Sequence, residues 1–405
     1  MAVKEIGAAA NEIRRPTDSG FGALDLFWNR DPQGRIEFDL DMLVPAEADD
    51  DFGVRVSATT TLLRYSVAFE FSRSEQRLIL ASENLVSLKK GDARAIIGFP
   101  HSKEFLESVV HGKRYGAAYI STRPQGTTTA VHLHQDGGSR GRPVPAGASP
   151  RTVLGGTNTE EYPTVVAARR EMASWRSLQL EPSSLRTADR FDSPTTVDER
   201  GRHIASALRR LGAEAGDPAR ICAEVANRLS QLVDDVAEIR VREDEARQHR
   251  LVELRSRGQN VWHPPRALSD GTLRFLALIV MQLDSESGRM LCLEEPENGI
   301  HASRIPSLVN LLQDYAVDPA HAVDPEDNPL RQVLINSHSP DVVRTLDADQ
   351  TLLVESLQGS EGSEARIRSV YDLDSWRTDA DAIDRDEFLH RIGGLPRGQA
   401  TLFGP

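Results

Sequence analysis

The stretch Met290-Leu291-Cys292-Leu293-Glu294-Glu295-Pro296 constrains this chain more than any other. An unbroken apolar run closed by a breaker reads as a strand covered on both faces, the kind found in parallel sheets, and so points to an α/β fold. Nothing structural asks for two carboxylates at the tip of such a strand, and side by side they repel. In open parallel sheets ligands sit beyond the carboxyl ends of the strands. A Mg-nucleotide there accounts for both acids: one holds the hydrated metal, the other orients or deprotonates an attacking water. The alternative is a strand end that happens to meet an acidic turn.

Two flanking segments bear on that choice. Leu268-Ser269-Asp270-Gly271-Thr272 opens a helix that is apolar all round from Leu273 to Leu283. A buried helix with a polar, glycine-bearing start offers free N–H groups and a favourable dipole to an anion. Ordinary N-capping by Ser269 or Asp270 would explain the same residues without a ligand. Downstream, Asn336-Ser337-His338-Ser339-Pro340 follows the apolar run Val333-Leu334-Ile335.

These three motifs, with Pro296-Glu297-Asn298-Gly299-Ile300-His301 after the acids, resemble the ABC-type ATPases of the RecF-like and SMC-like group. They resemble in particular the small AAA-type ATP-binding proteins of bacterial defence and repair loci. Order and spacing agree over about residues 175 to 355 and more loosely elsewhere. The resemblance implies a P-loop NTPase (ABC-ATPase-like) fold: a parallel-sheet core, an inserted antiparallel β lobe, and a helical lobe carrying the signature. It implies ATP and Mg2+ as cofactors. Glu294 would hold Mg2+ through water, at a position where most of the wider class has Asp. Glu295 would be the catalytic base, and His338 would contact the γ-phosphate. Ser269 and Gly271 would reach a γ-phosphate held by a second protomer, and the turn from Asn298 to His301 would cross to that partner. A nucleotide-sandwich dimer would then drive a partner effector, such as a nuclease, or a DNA transaction. The other reading is a degenerate, non-hydrolysing protein that keeps the fold as an interaction module.

The family's first motif, a Gly-rich loop ending in Gly-Lys-[Ser/Thr], occurs nowhere in the chain; Gly112-Lys113-Arg114 has the wrong last residue. That loop supplies the N–H nest and the lysine that hold the β- and γ-phosphates. Strong ATP binding by this chain alone is therefore not expected. Either the sequence starts downstream of that loop, or it is a degenerate half-site.

A formal charge of −13 argues against a protein dominated by phosphate-backbone binding, though a local basic groove leaves DNA a candidate partner. Cys222 and Cys292 both fall in apolar periodic segments and read as buried thiols, suited to a reducing cytoplasm. No run approaches the ~20 apolar residues that span a bilayer, and no signal peptide is visible. A cytosolic protein is expected.

Along the chain, 1–33 reads as a helix and loop of the ATPase core, with Val3, Ile6, Ala10 and Ile13 as its stripe. Period-two alternation over 34–135 predicts a β-rich lobe. His132 and His134 share a strand face there without a third ligand, which favours a plain sheet surface over a metal pair. Residues 136–163 read as a flexible insert, with Arg140, Arg142 and Arg151 available to nucleic acid or simply solvated. A helical lobe is expected over 164–260, with helices at 198–211 and 219–236 and a charged, solvated piece at 242–257. Trp262 ahead of the signature could stack on an adenine, on proline, or cap the core. The ATPase core spans 261–355, with a surface loop at 317–329, and an extension fills 356–405.

Overall fold

The computed structural model describes residues 22–112, 116–125, 128–136, 138, 141–144, 151–359, 362–372 and 381–393. The expected N-terminal helix, Lys113-Arg114, Arg140 and the chain after 393 lie outside them. No helix among the described residues is long and apolar enough to cross a membrane. Two compact units divide the chain: Met1–Ser177 with Val317–Leu330, and Leu178–Ala316 with Arg331–Pro405.

In the first unit the alternating segments form β1 (Arg35–Leu43), β2 (Glu47–Asp49), β3 (Arg55–Ser57), β4 (Leu62–Ser72), β5 (Arg77–Ser87), β6 (Ala118–Gln125), β7 (Thr128–Leu133) and β8 (Arg142–Val144). Six of them make an antiparallel sheet ordered β1-β4-β5-β6-β7-β8, and β2 pairs with β3. Tyr65, Val67, Leu85, Ile120 and Val131 bury one sheet face in the same core as Val165, Ala168 and Met172 of the helix Pro163–Ala173. The described part of the insert expected over 136–163 carries secondary structure. It holds β8 and the short helix Val153–Gly156, with Val153 and Leu154 buried. The fully buried Glu83 makes this tolerable. Its Oε2 accepts the Val153 N–H at 2.6 Å, and its Oε1 accepts the Leu154 N–H at 2.8 Å and the Tyr65 hydroxyl at 3.1 Å. His134 is buried too, its Nε2 2.9 Å from Ser121 Oγ, so the histidine pair is not simple sheet surface. The piece at 317–329 is likewise more than a loop. Val317, Val323 and Leu330 pack against Phe105 and Val109 of the helix Lys103–Val109.

β9 (Arg176–Leu178) falls at the boundary of the units, and the second unit holds β10 (Asp189–Arg190), β11 (Val236–Asp244), β12 (His249–Ser256), β13 (Trp262–His263), β14 (Met290–Glu294), β15 (Gln332–Asn336), β16 (Leu352–Gly359), β17 (Gly362–Tyr371) and β18 (Ile383–Asp384). Its principal helices are α1 (Ile204–Glu214), α2 (Pro218–Leu232), α3 (Asp270–Leu283), α4 (Ile305–Tyr315), α5 (Pro340–Thr345) and α6 (Arg385–Gly393). α1 starts six residues later than its apolar pattern suggests. Asp198 accepts the N–H groups of Arg200 and Arg202 in a turn, and His203 caps the helix at φ 74°. The charged piece at 242–257 is mostly strand. β11 and β12 pair antiparallel, with Val252 and Leu254 buried inward. On the opposite face Arg240 and Arg242 close on Glu253, and Arg240 lies 4.0 Å from the Trp262 ring centre.

β14 and β15 run parallel in register from Met290↔Gln332 to Glu294↔Asn336, in a sheet ordered β15-β14-β9. The expectation that β14 is covered on both faces is half right. Leu291 and Leu293 lie in one core with α3 and α4, while Cys292 is half-buried and its partner Leu334 is 49% exposed. Cys222 is half-buried as well, so neither thiol is fully buried. An apolar run without alternation does not say how many of its faces are covered. β16 and β17 then form a longer hairpin than the Gly/Ser turn suggested.

Candidate nucleotide site

Local structure brings the three motifs to one end of the second unit. α3 runs from its start at Asp270 away to Leu283, and β14 runs back. The start of the helix and the acidic end of the strand are therefore neighbours. A Cβ placed on Gly271 would lie 3.6 Å from the Gly299 carbonyl, and one on Gly299 would lie 3.8 Å from Asp270 Cβ. Gly299 has φ 77°, which requires glycine; Gly271 is not in the left-handed region.

The chain turns sharply where the strand ends. Glu295 takes φ 43°, a left-handed conformation that is uncommon outside glycine. Its N–H still donates to the Asn336 carbonyl at 2.7 Å, so the strand pairing persists to the point of the turn. The Asn298 N–H closes that turn on the Glu295 carbonyl at 3.1 Å, and Asn298 Nδ2 donates to Glu295 Oε2 at 2.5 Å. Glu295 Oε1 lies 3.7 Å from His338 Nε2. The imidazole is 83% exposed and the carboxylate 39%, so this pair is open to solvent. Glu294 is exposed on the strand end, with Gln179 Nε2 at 3.4 Å from its Oε2.

Ser269 is exposed and Asp270 half-exposed at the start of α3. The Ser269 hydroxyl accepts the Thr272 N–H at 3.2 Å, which is ordinary N-capping. Arg186 grips the same turn, donating to Asp270 Oδ1 at 2.5 Å and to the Leu268 carbonyl at 3.0 Å. Below it, burial pulls the Arg274 guanidinium under the usual arginine range, while Asp270 and Glu297 push it back up. Thus Glu294, Glu295, Asn298 and His338 share one mouth, and Ser269 and Gly271 lie along the adjoining helix start. Gln179, Arg186 and Arg274 also belong to this region and carry no motif signal in the sequence, while Glu297 and Ser337 stand inside the motifs without a role assigned to them. A polar residue directly after Leu178 was the only sign of Gln179.

Two adjacent carboxylates at an exposed strand end suit a hydrated Mg2+, which keeps several waters and takes one or two protein carboxylates. Among the described residues no three His, Cys, Asp or Glu side chains are grouped to hold a metal, so the protein offers no closed cage.

Residues 162–344 match an AAA domain. The family is described as "AAA domain, putative AbiEii toxin, Type IV TA system". The matched AAA region runs from the end of the first unit through the signature helix, the twin acids and His338, and it supports a nucleotide-binding, ATPase-type domain. No curated protein matches the chain. Among solved structures, the Smc head bound to the C-winged helix domain of ScpA aligns at 7% identity and TM-score 0.34, over 80% of this chain and 78% of that one. The Smc head with an extended coiled coil bound to the C-terminal domain of ScpA, from Pyrococcus furiosus, aligns at 7% and 0.32 over 80% of each chain. The SMC head domain from Thermotoga maritima aligns at 11% and 0.27, over 79% of this chain and 77% of that one. Likeness at these values says nothing of site or partner.

Proposed function

We propose that the AAA region is an ATP-dependent switch whose hydrolytic centre is Glu294, Glu295 and His338. One observation carries the reading: a strained Glu295 at the end of a parallel strand, held by Asn298 on one oxygen and facing His338 with the other. Asn298 occupies Oε2, which leaves Oε1 to orient a water and take its proton. His338, exposed and 3.7 Å away, can donate to an oxygen of the terminal phosphate. Glu294 points outward at the strand end, where it can hold a metal-bound water. Mg2+, if held there through water, would supply positive charge that offsets the charge developing during transfer.

The exposed Ser269 and the half-exposed Gly271 at the start of α3 would meet a phosphate held by a second copy of the chain, giving a nucleotide-sandwich dimer. Dimer formation and release would then act on a partner effector or on DNA, in a cytosolic defence or repair setting. The family description, which refers to a toxin of a toxin–antitoxin system, is compatible with an effector-linked role.

The decisive measurement is light scattering of Glu295→Gln with MgATP. A switch that hydrolyses its nucleotide accumulates as a dimer when the base is removed. A variant that stays at the wild-type mass, with and without MgATP, rejects the reading. The chain's lack of a Gly-Lys-[Ser/Thr] string favours a second reading, an ATPase fold kept as a non-hydrolysing interaction module. On that reading Glu295→Gln changes nothing and partner binding is independent of nucleotide.

A further inference from the structure

Glu297 plays no part in the chemistry proposed above, yet it sits at the centre of the contacts that hold the site together. It follows Pro296, whose carbonyl accepts from Arg274 Nη1 of α3 at 3.4 Å. Its own Oε1 accepts the Ser337 hydroxyl, and Ser337 Oγ in turn accepts the Ser339 N–H at 3.0 Å. His338 lies between those two serines. A short relay therefore runs from the signature helix, through the turn after the twin acids, to both sides of the histidine. Glu297 Oε2 is buried without a hydrogen-bond partner. A carboxylate kept partly unsatisfied in this position is expensive to retain for stability alone.

We propose that Glu297 is a positioning residue: by holding Ser337 it fixes the 336–340 loop and sets His338 opposite Glu295. Its usefulness to turnover rests on the ATPase reading, but the coupling itself does not. Movement of α3, carried through Arg274 and the Pro296 carbonyl, is then delivered to the histidine through Glu297. That gives the signature helix of one protomer a direct mechanical line to its own γ-phosphate contact.

The test is hydrogen–deuterium exchange on the full chain without nucleotide, following the amides of residues 336–339. Glu297→Ala and Ser337→Ala should each speed exchange of the Ser339 amide about tenfold, the loss expected for one hydrogen bond. The double variant should be no faster than either single one, because both remove the same link. Glu297→Gln keeps an oxygen that can accept from Ser337 and should stay within about twofold of wild type. Thermal unfolding identifies any variant that fails to fold, and the mild Ser337→Ala change keeps the test decisive if Glu297→Ala does. Wild-type exchange in both alanine variants overturns the proposal, as does multiplication of their effects in the double variant. Failure of every variant to bind MgATP would count against the proposed function and leave this result standing.

Discussion

Gly271→Ala separates a glycine kept for the fold from one kept for a ligand. Within one protomer the substitution meets little resistance. The added methyl would sit 3.6 Å from the Gly299 carbonyl, 3.7 Å from Ile300 Cγ1 and 4.0 Å from Ile300 Cα, all ordinary contact distances. The residue lies second in α3 and its φ is not left-handed. Alanine is favoured over glycine by about 1 kcal/mol in a helix interior and by about half of that in a first turn. The variant should therefore be as stable as wild type or about 0.5 kcal/mol more so, a rise in Tm of roughly 1–2 °C. Gly299→Ala is the control. At φ 77° a Cβ is strained, and a loss of about 1–2 kcal/mol is expected.

Urea unfolding followed by tryptophan fluorescence measures both changes, and light scattering with MgATP on a Glu295→Gln background reports the dimer. If Gly271 serves a phosphate of the second copy, its methyl fills the approach, and the nucleotide-dependent dimer is lost while stability is kept. A destabilisation above about 1 kcal/mol would make the glycine structural. An intact dimer would show that the helix start does not meet the ligand. Either result refutes the reasoning.

Three further outcomes follow from the packing and the buried charges. Leu293→Ala should cost about 2–5 kcal/mol in urea unfolding, whereas Leu334→Ala on the open face should cost under about 1 kcal/mol; equal losses would mean that the sheet is covered on both sides in solution. Arg331, itself buried, donates to the Gln282 carbonyl in the last turn of α3 and to the Asp284 carbonyl just beyond it, both at 2.8 Å, and lies 4.6 Å from the Tyr315 ring centre, so Arg331→Met should lose about 2–3 kcal/mol and Arg331→Lys less; no loss in the methionine variant would rule out this cap. Burial pushes the Glu83 carboxyl from 4.5 up to about 7, against the pull of the Leu154 and Val153 amides and Tyr65. A raised carboxyl contributes its full stability below the unfolded value and loses it as pH climbs to about 7, so wild type should weaken relative to Glu83→Gln by roughly 3 kcal/mol between pH 4.5 and 7, and a flat or reversed difference in urea unfolding refutes the assignment.

The parts of this molecule that could be read in advance are those where one residue type has few other uses. Twin acids closing an apolar run placed the end of β14, and the all-apolar helix after Ser269 placed α3. Because a helix leading into a strand must double back, the two ends had to meet, and His338 arrived by the same logic from the parallel partner β15. What stayed hidden depends on partners far away in sequence. Glu83 looks like one more surface acid on an alternating strand until Val153 and Leu154, 70 and 71 residues on, deliver their amides to it. The late start of α1 is decided by Asp198 competing for backbone N–H groups, which the apolar stripe of the helix does not register. Glu297 is the sharpest case. Beside two other carboxylates it reads as part of an acidic turn, and only its bond to Ser337, 40 positions away, sets it apart. The residues proposed to do chemistry are conspicuous because their types are costly to place. The residues that aim them are ordinary types in unusual company, and that company is fixed by tertiary structure.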